Sequence, residues 1–198
     1  MSAFLGPIHF WLYKKILFQE NLIKKLVETA KNNGWDVNGD MYIRYVNEDR
    51  RALEELIDQD NIHGWLQNRI NDAEERYAFL LAEILRADET RLSLLKETAF
   101  EFGKEHKAGK VDATAAYQVF DDLLLNGMPC DRVNVVTSQT AYSLEWEQTQ
   151  NIHKLYLDEA CLDEKIYEDL RLSIMNGVLI DNDLEVVKKR EGIFEIRK

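Results

Sequence analysis

The feature that most constrains this chain is a string it carries twice: Ile8-His9, Trp11-Leu12, Ile16 and Glu20 recur at identical spacing as Ile62-His63, Trp65-Leu66, Ile70 and Glu74. In both copies the apolar members fall at helical spacing, so each is read as an amphipathic helix, and the shared register predicts an internal helical repeat. A third echo, Asn151-Ile152-His153, repeats Asn61-Ile62-His63 and also has an acid eleven residues on, at Glu164. Three of the four histidines thus sit in Ile-His pairs.

Punctuation along the chain extends this to a mainly α fold. Gly6-Pro7 precedes the first helix and Gly34 follows it, while Trp35 to Val46 reads as an extended segment or loop lying over that helix. Asn47 is the expected cap of a second helix that continues, with a break near Asp60-Asn61, through the second copy of the string. Further helices are expected after Thr90, ending near His106 and Gly109, after Asp112, closed by Asn126-Gly127, and after Ser138, with a short last one from Asp163 to Met175 that stops at Asn176-Gly177. The Ser138 helix would carry Tyr142, Trp146, Thr149, His153 and Tyr156. Val178 onward is rich in β-formers around Asp181-Asn182-Asp183 and Glu191-Gly192 and reads as a small antiparallel ribbon. The expected architecture is a helical bundle over residues 1–177 with a C-terminal β appendage over 178–198.

Composition excludes several functions. A chain of 198 residues buries a core without staples, and a formal charge of −11 argues against phosphate backbones and anionic membrane surfaces. Basic runs such as Lys14-Lys15 and Lys188-Lys189-Arg190 have acids close by. No stretch is apolar enough for a membrane span, and the apolar start from Phe4 to Leu12 lacks the basic leader and cleavage site of a signal peptide. Cys130 and Cys161 have no metal or redox spacing, and a cytoplasmic protein is expected. Asp36-Val37-Asn38-Gly39-Asp40 fails as a calcium loop, because its glycine is fourth and Asn47 takes the place of the twelfth-position Glu. Phosphate-binding, nucleophile-elbow and zincin motifs are absent.

The histidines carry the candidate chemistry. On a helix, eleven residues bring His9 and Glu20 onto one stripe about 16 Å apart, too far to share an ion. Antiparallel packing of the two copies would set His9 level with Glu74 and Glu20 with His63, giving two His-carboxylate pairs. Another geometry joins His9, His63 and His153 in a three-histidine site suited to iron or zinc, with Glu20 and Glu74 as further ligands or proton carriers. Structural roles stand beside both: interior histidines each satisfied by a carboxylate, and core tryptophans. The expected pocket is framed by Trp11, Trp65 and Trp146, with Tyr156 and Cys130 as further ligand-binding candidates, and takes a metal ion or small molecule. From another class, the repeated Trp/His helices would form a homodimer interface.

The strings Phe4-Leu5-Gly6-Pro7-Ile8-His9-Phe10-Trp11-Leu12-Tyr13 and Gly127-Met128-Pro129-Cys130-Asp131 resemble those of an uncharacterised family of small helical proteins from anaerobic bacteria. The resemblance implies no activity and draws attention to His9 and Cys130. Inward histidines on a bundle are similar to hemerythrin-like metal proteins, whose ligand spacings are not reproduced here.

Overall fold

The computed structural model describes residues 5–140 and 142–198. Two long helices of equal length, α1 (Pro7–Asn32) and α4 (Ile62–Ala87), pack together at its centre. Each begins at a repeated string. Pro7 opens α1 where its missing N–H costs nothing, and the Asn61 side chain caps α4 by accepting from Gly64 N. The pair runs parallel, not antiparallel: His9 meets His63 near both starts, and Glu20 meets Arg76 further along. Parallel neighbours need a connection about as long as themselves, and residues 33–61 supply it. Two short helices on that connection, α2 (Met41–Tyr45) and α3 (Leu53–Leu56), are held by buried Met41, Tyr45 and Leu53. The extended segment expected over α1 is therefore partly helical.

Around this pair stand α5 (Leu92–Glu105), α6 (Ala113–Leu123), α7 (Lys154–Ala160) and α8 (Glu164–Val178). Asp112 and Asp163 cap α6 and α8 with their carboxylates, at the expected positions. Ahead of α5 the capping carboxylate is Asp88, which accepts from Thr90 N and Oγ1 across a short 3₁₀ turn. The helix α8 runs through Asn176-Gly177, the expected stop, because Gly177 lies against the Phe100 carbonyl of α5, where a helix–helix contact replaces a turn.

The helix expected from Ser138 does not form. Residues 134–148 make two strands, β1 (Asn134–Gln139) and β2 (Leu144–Gln148), joined by a turn in which Thr140 Oγ1 accepts from Ser143 N. Leu144 and Trp146 point into the core while Glu145 and Glu147 point away from it, a period of two. Tyr142, Trp146, Thr149, His153 and Tyr156 share a helical spacing by coincidence. With β3 (Glu185–Arg190) and β4 (Ile193–Arg197) these strands form one antiparallel sheet in the order β1-β2-β4-β3. The C-terminal ribbon is thus half of a four-stranded sheet. One face, through Leu144, Trp146, Phe194, Ile196 and Val186, joins the main core with α6 and α8. No described helix is long and apolar enough to cross a membrane.

Candidate functional site

The histidines divide into two places. His9 Nδ1 accepts the Gly6 N–H at 2.9 Å, closing the first turn of α1. That bond assigns the proton of the neutral ring to Nε2, which then donates to His63 Nε2 at 3.4 Å. Ligation of a metal through both Nε2 atoms would require lone pairs on both, and the Gly6 bond leaves only one. The two helix N-termini there also carry partial positive charge, which disfavours a cation. His153 lies elsewhere, bonded to Glu74 Oε2 at 3.1 Å. Glu74 is eleven residues beyond His63 on α4, about 16 Å along the helix, so the three histidines do not converge.

Glu20 is not a partner of His63 either, because Arg76 holds its carboxylate in a two-pronged pair at 2.9 and 2.5 Å. That pair raises the Arg76 pKa against the effect of burial. Trp11 donates to Asp122 at 2.8 Å and lies under the Lys15 ammonium, tying α1 to α6. Tyr156 donates to Asn71 at 2.8 Å and ties α7 to α4. Cys130 is exposed on a 3₁₀ turn and lines none of the cavities described below. Among the described residues, the one group of three or more His, Cys, Asp or Glu donors close enough to share an ion is Glu164, Glu168 and Glu191. A cation already fills it: Lys188 Nζ lies 2.6 Å from Glu168 and 2.9 Å from Glu191.

The expected frame of Trp11, Trp65 and Trp146 does not assemble, and Trp146 instead joins a set around Arg171, a residue the sequence reading missed. Arg171 of α8 spends two of its donors on the Leu125 carbonyl and the Asn126 side chain, and makes no ion pair among the described residues. On one side of it opens a cleft of about 30 Å³. Trp146 and Phe194, cross-strand partners on β2 and β4, stack at 5.5 Å, and Tyr117 of α6 meets Trp146 at 5.4 Å. These rings, with the amides of Asn126, Asn134 and Gln148, line the cleft. Its single carboxylate, Asp121, lies 3.7 Å from the buried Lys15 ammonium. Burial pushes Lys15 down to about 8 and Tyr117 up to about 12, in each case opposed or aided by Asp121.

On the other side of Arg171, a smaller cavity shares Gln148, Arg171 and Phe194 with the cleft and is lined by His153 and Tyr167. His153 and Glu74 are 2% and 3% exposed. With Nδ1–H donating to Glu74, the Tyr167 hydroxyl lies 3.0 Å from Nδ1 and 3.4 Å from Nε2. Burial first and the Glu74 charge second raise Tyr167 well above its ordinary value, so it stays a phenol and a donor. Glu74 Oε1 has no partner. A carboxylate that fixes an imidazole in one tautomer is half of a general-base arrangement, and here a phenol stands beside the other nitrogen. Arg171 was visible in the sequence as a cation set among Tyr167, Leu170, Ile174 and Met175, the buried stripe of its own helix. Comparison of the chain with protein families, with characterised proteins and with solved structures gives no match.

Proposed function

We propose that this protein binds a small planar organic anion in the cleft between the sheet and α8, with His153 as the group beside it that exchanges a proton. The observation that carries the reading is Arg171, a half-buried guanidinium that makes no ion pair among the described residues, in a cleft walled by aromatic rings. A charge in such a place is stabilised when an anion completes it, and bidentate guanidinium geometry suits a carboxylate. A cleft of about 30 Å³ has room for a charged head group's outer atoms only, so the flat body of the ligand would lie at its mouth against Trp146 and Tyr117. Of the residues expected to line a pocket, Trp146, His153 and Glu74 support this reading. The metal part of that expectation loses its support with the separation of the histidines and the Nε2 proton of His9.

Benzoate is a suitable probe because it offers one carboxylate and one ring. Calorimetric titration of the whole protein should give saturable binding. Arg171→Gln should weaken it about ten- to a hundredfold, since charged hydrogen bonds contribute roughly 1.5–3 kcal/mol. Equal affinity in the variant, or no heat from the native protein, would reject the site.

The repeated strings begin two parallel helices of 26 residues each and place Leu12 with Leu66, Ile16 with Ile70 and Glu20 with Glu74 as buried pairs of equivalent positions. Those equivalences support descent of α1 and α4 from one helix, with the two acids since assigned to different partners.

A further inference from the structure

A second cavity, remote from Arg171 in the fold, lies where the connection from α1 to α4 crosses their N-terminal halves. It holds about 80 Å³. Arg69 of α4 lines it and makes no ion pair among the described residues. Its guanidinium carbon lies 5.6 Å from the centre of the Trp65 ring, another wall of the cavity. Two carboxylates also line it, yet neither is available to Arg69. Glu20 is gripped by both nitrogens of Arg76, and Asp49 by Arg51 at 2.6 and 2.9 Å, which holds the Asp49 carboxyl down at about 2. Asn47 uses its Oδ1 to accept from Asp49 N, leaving its NH₂ as a second donor at the rim. Ile16, Leu17 and Leu56 supply an apolar floor.

We propose that this cavity is a binding site for a small monocarboxylate of the size of acetate. The Arg69 guanidinium brings an unpaired positive charge to the cavity wall, and an anion seated there pairs it through charge-assisted hydrogen bonds. Charge selects among anions: Glu20 and Asp49 remain negative though paired, so a single charge is tolerated better than the two of hydrogen phosphate. The floor selects a carboxylate with a methyl or methylene group over a spherical halide, because the apolar end then has apolar atoms to meet.

Trp65 makes the test optical. The whole protein is titrated with sodium acetate, with sodium chloride and with sodium phosphate at matched ionic strength, and tryptophan emission is followed. Acetate should give a saturable change that chloride does not, and Trp65→Phe should abolish it while Trp11, Trp35 and Trp146 remain. Arg69→Gln should weaken acetate about tenfold or more, with the helical circular dichroism unchanged. Should that variant fail to fold, Arg69→Lys keeps the charge without the guanidinium and should bind several-fold more weakly. The titrations are repeated in the Arg171→Gln background, which removes the carboxylate partner beside Trp146, and the Trp65-dependent acetate response should persist there, which separates this site from the cleft. An acetate curve that matches chloride, native affinity in the Arg69 variants, or tighter binding of phosphate than of acetate would overturn the proposal.

Discussion

Lys15 has its side chain 3% exposed and its ammonium between the Trp11 ring at 3.9 Å and Asp121 at 3.7 Å. Burial outweighs that carboxylate and leaves the amine at about 8, below its ordinary 10.5. Between those two values the unfolded chain holds a proton that the folded one has released, so stability rises with pH across the window. Below about pH 8 both states are charged and the folded state bears the whole cost, about 3 kcal/mol for a shift of that size. Lys15→Met should therefore be more stable than the native protein at pH 7, with the difference shrinking toward pH 10, as urea titrations at several pH values would record. Asp121, 37% exposed, keeps its water in the variant. Tyr117 and Tyr167, held protonated by burial, act in the opposite sense above pH 10, so both proteins are compared at each pH. A larger stability difference at pH 10 than at pH 7 would contradict this placement of the ammonium. At this scale the sequence revealed scarce residues and not their partners. His9 and His63 do meet, but as a cap and its neighbour, because the decisive contact is the backbone N–H of Gly6, which no side-chain pattern announces.

Among the helices, α5 and α8 pack backbone against backbone at Gly103 and Gly177. A Cβ added at Gly177 would lie 2.1 Å from the Phe100 carbonyl oxygen and 3.1 Å from Gly103 Cα, and one added at Gly103 would lie 2.2 Å from the Ile174 oxygen. These glycines are helical, so what they provide is room. Gly177→Ala forces two backbones apart and should cost about 2–3 kcal/mol, seen as a lower urea midpoint with an unchanged slope. Unaltered stability would mean that the helices pass less closely. The same contact explains why Asn176-Gly177 looked like a helix stop in the sequence, since glycine marks a turn and a close packing site alike. Helices α1, α6 and α8 were legible because their start signals and apolar period agree, whereas α4 was legible by its period alone, since its cap is Asn61 and no helix starts at the expected Asn47. Strands β1 and β2 were not: five aromatic, Thr or His positions mimicked a helical stripe, while the partner that makes Leu144–Gln148 a strand, Ile193–Ile196, lies far along the chain.

For the molecule as a whole, the sheet binds together segments that the sequence divided at 177/178. Trp146 of β2 is buried against Phe194 of β4, and both belong to the main core. Removal of residues 179–198 would strip β2 of its inner neighbour and leave the β1–β2 hairpin, which alone is marginal in water. The shortened chain should lose its near-ultraviolet tryptophan signal and its cooperative urea transition; a transition at the native midpoint would instead make the helices independent of the sheet. The pocket depends on the same union, since its walls come from β2, β4, α6 and α8, which is why its members were legible singly and not as a site. The parallel course of α1 and α4 bears on how quickly the molecule assembles. An antiparallel helix pair zips from its turn, whereas His9 and His63 are 54 residues apart and meet only once the whole intervening segment has closed. That closure entropy falls due before the central contact forms, so the refolding rate should resemble those of mixed α/β domains more than those of simple bundles.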